Sequence, residues 1–200
     1  MKSGRIDDKA NWGVDMFKKI ILGSLILLIG FAAGLIGHLY YYPREAFTKH
    51  YENIVREGGE ARWIHRRQLN DHTFTDFPRP NNDTLYSYCM VDLSKGPVVI
   101  EMPPIDRYWS VQFLKDNTDT FHYLASRIQG LNKPVNVLLV PGGYTGQSHD
   151  LGVVAAPTRR VWLFGRILID GPADIPKVVR FQDQMKCTPL NQYKPEDRQS

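Results

Sequence analysis

Residues 20–42 read IILGSLILLIGFAAGLIGHLYYY, a run without a Lys, Arg, Asp or Glu and with a single His, His38, near its end. Roughly 20 residues of helix at about 1.5 Å each cross a hydrocarbon core. A helix is the conformation in which one segment satisfies its own backbone polar groups in lipid. Tyr40, Tyr41 and Tyr42 suit the aromatic belt at the lipid–water boundary. Gly30 and Gly34 have the spacing that lets a second helix approach closely. A cleaved signal peptide is the competing reading, but its apolar region is usually about 7–15 residues and ends at small residues. This run is longer and is followed by Tyr-Tyr-Tyr-Pro, so an uncleaved anchor is expected. Lys2, Arg5, Lys9, Lys18 and Lys19 precede the run, against Arg44, Lys49 and Arg56 after it. That imbalance predicts a cytoplasmic N-terminus and a periplasmic or otherwise extracytoplasmic main domain.

A chain of 200 residues then has room for one further domain. The organisation expected is a cytoplasmic tail over 1–19, an anchor over 20–42, a helical connection over 43–78, a β-domain over 79–187 and a polar tail over 188–200. The net charge of +4 comes largely from the N-terminal tail and from Arg62, Arg66 and Arg67. No nucleic-acid signature accompanies it, so no nucleic-acid partner is expected. Cys89 and Cys187 could pair outside the cytoplasm. Cys89 also lies inside a strand pattern, where a free Cys behaves as a small hydrophobe.

After the anchor, Pro43 suits the first turn of a new helix. Ala46, Phe47, His50, Tyr51 and Ile54 recur at helical spacing, and Gly58-Gly59 stops the run. His50 on that stripe reads as a packed residue. Residues 60–72 read as a second polar helix or an irregular connection. From Thr84 onward the texture is that of short strands: Thr84–Val91, Pro97–Met102, Arg107–Leu114, Thr118–Ala125, Val135–Val140 and Val161–Ile169. Trp109, Val111 and Phe113 alternate with Ser110 and Gln112, the pattern of a half-buried strand. Such spacing predicts a mainly β domain, a sandwich, with short flanking helices and a closing helix over Asp174–Lys186.

No nucleophile elbow, dinucleotide fingerprint, phosphate loop or zinc-ligand spacing occurs, so no cofactor or metal is expected. One constellation stands out. Arg79, Asn81, Asn82 and Asp83 crowd the entrance of one strand, and Asp106, Arg107 and Tyr108 the entrance of another. If the entrances converge, Asp83 and Arg107 offer a carboxylate and a guanidinium fork, with Tyr86 and Tyr108 as amphipathic walls. Asp83 and Arg107 are then the candidate catalytic pair, and Arg79, Asn81, Asn82, Tyr86 and Tyr108 the candidate binding residues. A structural network in which Arg107 neutralises Asp83 uses the same residues equally well.

The run RPNNDTLYSYCMVDLSKGPVVIEMPPIDRYWSVQFLKDNTDTF, residues 79–121, resembles the family of the domain of unknown function numbered 1254. The glycine loop PGGYTGQ, residues 141–147, and the segment APTRRVWLFGRILIDGPADIPKVVRFQDQ continue the likeness. Pro80, Asn81, Asp83, Thr84, Tyr86, Asp92, Gly96, Pro97, Arg107, Tyr108, Gly165 and Arg166 fit the family pattern. The resemblance implies an immunoglobulin-like β-sandwich and brings no established reaction. It also implies a possible partner, a second membrane-anchored protein carrying the jelly-roll domain numbered 1214. The first expectation is therefore a membrane-anchored binding or assembly module, with the lipid bilayer and that protein as partners. A hydrolase or isomerase acting on a small polar substrate at the strand entrances is the alternative from another class, and a structural membrane subunit is the third.

Overall fold

The computed structural model describes residues 4–70 and 80–194, with the side chains of 4–11, 13 and 14 left aside. The chain divides into two units, Met1–Pro43 and Arg44–Ser200. Helix α1, Gly4–Gly58, contains Pro43. The expectation that Pro43 opens a new helix is corrected. A proline inside a helix loses its own N–H bond and crowds the carbonyl four residues back, yet α1 runs through it. In the first unit the apolar side chains of α1 face outward all round, with Leu27 75% and Phe31 72% exposed. A helix that is apolar all round needs a nonaqueous surrounding. Its length and composition suit a single-pass anchor or a signal segment.

The second unit is mainly β, built as two sheets. Among the described residues nine strands form: β1 Trp63–Arg66, β2 Thr84–Asp92, β3 Val98–Met102, β4 Trp109–Leu114, β5 Thr120–Ala125, β6 Val135–Pro141, β7 Gly152–Ala156, β8 Arg160–Leu168 and β9 Lys186–Pro189. The five-stranded sheet has the order β1-β2-β8-β4-β5, and the four-stranded sheet β7-β6-β3-β9. Every pairing is antiparallel except β6 with β7. A short helix α2, Ser126–Gln129, follows β5, and α3, Ile175–Gln184, is the closing helix.

Side chains alternate between the faces of a strand, and the two faces of the five-stranded sheet meet different neighbours. Leu85, Cys89 and Val91 of β2, Val111 and Phe113 of β4, and Leu163 and Ile167 of β8 share one core with Ile100, Leu139 and Cys187 of the other sheet. On the opposite face, Tyr86, Tyr88 and Met90 of β2 pack with Phe47, Tyr51 and Ile54 of α1. The helical residues are spaced i, i+4, i+7, one face of a helix laid on the sheet. His50 joins this packing, its ring 4.3 Å from that of Trp162.

Three strands lie outside the sequence expectation. β1 occupies part of the stretch read as a second polar helix or irregular connection, so the β-domain starts upstream of residue 79. WIHR is too short for periodicity to distinguish, and its strand state comes from pairing Trp63 to Cys89 and Arg66 to Tyr86. β7 takes its state from parallel pairing with β6, and β9, which extends the domain to Pro189, from pairing with β3.

Cys89 and Cys187 form a disulfide that ties β2 of one sheet to β9 of the other, their Cα atoms 6.9 Å apart and 98 residues apart in sequence. Cys89 is therefore not a lone small hydrophobe. The four-residue strand that carries Cys187 had left no sign in the sequence, so nothing placed it opposite Cys89. Closing a loop of about 100 residues restricts the unfolded chain, and such crosslinks typically contribute about 2–4 kcal/mol. Urea denaturation with and without reductant should show a loss of that size, and a Cys89→Ala/Cys187→Ala variant should show the same loss and no response to reductant.

Candidate functional site

The two strand entrances lie on either side of the end of β8, so β2 and β4 are not neighbours in the sheet. Leu168 pairs with Thr84, and Ile167 with Trp109. Ile169 N donates to Asp83 O at 2.8 Å, and Leu168 N to Tyr108 O at 3.0 Å. The side chains do not form the expected pair. Arg107 binds Asp174, with Asp106 further off at 3.6 Å. Asp106 in turn holds Lys177 at 2.6 Å. Asp83 is exposed and accepts a hydrogen bond from Thr84 Oγ1 at 3.0 Å. The structural network that had Arg107 neutralising Asp83 is thus corrected: Asp174, just before α3, sits beside the guanidinium, and sequence distance hid it.

The Asn-rich turn is closed from within. Asn81 N donates to Tyr86 Oη at 2.8 Å, and Asn70 Nδ2 donates to Asn81 O at 3.1 Å. Asn81 and Asn82 are exposed, and Arg79 lies outside the described residues. The Asp92–Pro97 part of the recognisable run is equally local. Asp92 accepts from Ser94 N and Oγ at 3.0 and 2.7 Å, which caps a 3₁₀ turn, and Gly96 leaves that turn at φ +116°. Arg159 grips Asp92 through two hydrogen bonds of 2.8 and 2.7 Å. That guanidinium holds the Asp92 carboxyl well below the usual carboxylate range, with Ser94 assisting against burial.

Tyr86 and Tyr108 do come near one chemical group, and it is Arg166. On the outer face of the five-stranded sheet, Arg166 is in register between Tyr86 of β2 and Ser110 of β4. Tyr108 Oη lies 2.6 Å from Tyr123 Oη of β5, and the Arg127 guanidinium sits 5.3 Å from the Tyr108 ring centre. Burial raises the Tyr108 hydroxyl, but the bonds to Tyr123 and Ser110 and the charges of Arg166 and Arg127 outweigh it, leaving it below the ordinary tyrosine value. Burial, reinforced by Tyr108, pushes Tyr123 the other way. Either hydroxyl can be the donor in this pair, and one phenolic proton stays outside it.

A second polar group went unnoticed in the sequence. Gln182 Nε2 donates to Ser87 Oγ at 3.1 Å and to Tyr86 O at 3.2 Å. Ser87 Oγ also lies 2.9 Å from His65 Nδ1, a bond in which either atom can donate, because the hydroxyl keeps a proton and a second lone pair. Ser87 and Gln182 are fully buried, so this trio fastens β1, β2 and α3 together and offers no accessible nucleophile. His65 borders an open cleft of about 350 Å³ with Arg67 and Asp183. Only β1 brings it there, and β1 itself gave no periodic signal.

Burial, with the Arg67 charge adding to it, lowers His65 from 6.5 to about 4. The folded state therefore resists a proton that the unfolded chain accepts. Stability is complete above about pH 6.5 and falls as the pH drops towards 4. Melting temperature followed between these limits should show that decline, and His65→Gln should flatten it. For the entrances, Asp83→Asn should change unfolding free energy by no more than about 0.5 kcal/mol, as at other exposed positions. Arg107→Ala leaves Asp174 uncompensated, with both side chains 15% exposed. It should cost about 2–4 kcal/mol in the same denaturation experiment, a little under the fully buried range.

One solved protein agrees with this architecture at the level of the fold. The VPA0106 protein from Vibrio parahaemolyticus matches with a TM-score of 0.63 and 24% identity over 78% of this chain. The chain spans only 37% of that solved protein. A putative uncharacterized protein from Burkholderia cenocepacia matches with a TM-score of 0.43 and 12% identity, over 58% of this chain and 34% of its own. No curated protein matches. The profile of the family described as "Protein of unknown function (DUF1254)" matches residues 61–189, from just before β1 to the end of β9, and the chain belongs to that family.

Proposed function

We propose that this chain is a membrane-anchored binding or assembly module, its β-domain an immunoglobulin-like sandwich held outside the cytoplasm and working with a partner domain. The observation that carries the reading is the Cys89–Cys187 disulfide. Structural disulfides persist in oxidising compartments and are rare in the reducing cytosol. Joined to a long apolar N-terminal helix and the basic residues before it, the disulfide favours export of the domain behind a retained anchor. The two sheets around one core, tied by that crosslink, favour the immunoglobulin-like architecture.

Binding is favoured over hydrolysis or isomerisation by the state of the entrance residues. Arg107 is engaged by Asp174, and Asp83 faces solvent beside Thr84. Neither is placed as a base with an oriented partner. The partner reading draws support from the solved relative, most of whose length lies outside the matched region. A second membrane-anchored protein carrying the jelly-roll domain is the companion expected.

Fusing alkaline phosphatase after Tyr193 should give active enzyme in a Gram-negative host, because the reporter folds only after export. A green fluorescent protein fusion at the same place should be dark. An inactive phosphatase with a bright fluorescent fusion would overturn the topology. Crosslinking in membranes followed by detergent purification should recover the companion, and recovery of this chain alone would remove the assembly half of the proposal.

A further inference from the structure

We propose that Arg166 and the Tyr108–Tyr123 hydroxyl pair form a binding site for a small carboxylate on the outer face of the five-stranded sheet, beside the residues that α1 packs against. The inference deepens the binding-module reading and rests on it for context, but it depends on neither the compartment nor the companion.

The first ground is charge. Arg66, Arg67, Arg107 and Arg159 each hold a carboxylate: Glu57, Asp183, Asp174 and Asp92. Arg166 is half-buried and, among the described residues, has no carboxylate within ion-pair distance. Its one ring contact is with Phe164, at 6.0 Å. Its Nε is sealed from solvent and has no acceptor. A cation withdrawn from water without a counterion is costly, and an arriving anion removes that cost.

The second ground is the surrounding donors. Ser110, directly across from Arg166, is fully buried and adds a third hydroxyl beside the tyrosine pair. Whichever of Tyr108 and Tyr123 donates within their pair, the other keeps a proton to give. Arg127 brings a second guanidinium to the Tyr108 ring. The named cluster thus holds two cations and three hydroxyls, and no acid.

The shape of these donors selects among anions. Phosphate sites commonly recruit backbone amides at a helix start or in a glycine loop. Here β4 and β8 are paired along Trp109–Leu114, so the backbone between them is committed to the sheet. What remains is one planar fork with a phenol beside it, which matches the two oxygens of a carboxylate. The rings of Tyr108 and Phe164 give the carboxylate's apolar body a surface to lie on.

The test uses the full chain in nanodiscs of zwitterionic lipid, titrated with 4-fluorophenylacetate at constant ionic strength and followed by fluorine NMR. Saturable binding is expected, weakened at least tenfold by Arg166→Lys, which keeps the charge and loses the fork. Tyr108→Phe should weaken binding about tenfold to a hundredfold, the range of one hydrogen bond to a charged group. Arg159→Lys should leave it unchanged. Unaltered melting of Arg166→Lys would establish that its loss is local. Should Arg166→Lys fail to fold, Tyr108→Phe alone decides. No saturation up to about 20 mM, or equal binding by the Arg166 and Tyr108 variants, would overturn the site. Displacement by inorganic phosphate as effective as by succinate would overturn the carboxylate assignment. The phosphatase fusion and companion recovery read the topology and the partner separately, so failure here leaves those results standing.

Discussion

Strand β2 is buried at every one of its nine positions, Thr84 to Asp92, and most of what distinguishes the molecule hangs from it. One face looks into the core shared with the four-stranded sheet and carries Cys89 to the disulfide. The other presents Tyr86, Tyr88 and Met90 to α1. Its edges are taken by β1 and β8, the latter through nine consecutive register pairs. A strand enclosed in this way reads as a continuous apolar and aromatic run instead of an alternating one. It also tolerates few backbone irregularities. The turns at its ends, Asn81 to Asp83 and Asp92 to Gly96, are accordingly locked by hydrogen bonds from their own side chains and from Asn70 and Tyr86.

That enclosure gives the family signature a physical meaning. Asn81 closes onto Tyr86, Asp92 caps the turn that Gly96 ends, and Gly165 crosses β2 where a Cβ would lie 3.3 Å from both Ser87 Cβ and Ser87 O. These positions carry geometry. Arg166, next to Gly165, has no such structural employment. It is the signature residue whose chemistry remains unspent within the described fold.

The strands with six or more residues are legible in the sequence either by alternation and turn chemistry, as in Trp109–Leu114 between Asp106 and Asp116, or, in β2, as a β-branched and aromatic run. β1 and β9, at four residues each, fall below the length at which periodicity discriminates, and their identity comes wholly from pairing partners. With β9 invisible, nothing placed Cys187 opposite Cys89. The sequence leaves open whether the entrances at Asp83 and Tyr108 meet, and the structure puts the end of β8 between them. The pairing of Arg107 with Asp174 was not foreseen, since the two are joined through β8 and the turn after it. The sequence displayed Arg107 as a candidate and Arg166 only as a motif member, whereas the structure reverses their availability.

A single alternation in β8 explains why. Trp162, Phe164 and Arg166 all project from the same face of the sheet, two residues apart each time. Trp162 and Phe164 pack with α1 and the tyrosines of β2, while Arg166, one step further, stands between Tyr86 and Ser110. The face therefore changes from apolar to polar within one repeat of the strand, at the place where the packing of Phe47, Tyr51 and Ile54 gives out. Periodicity assigns a residue to a face but says nothing of what covers that face along its length. The helix gives each arginine of this face its character: Arg160 lies 5.1 Å from the Tyr51 ring of α1, whereas Arg166 lies two residues beyond Phe164, between Tyr86 and Ser110.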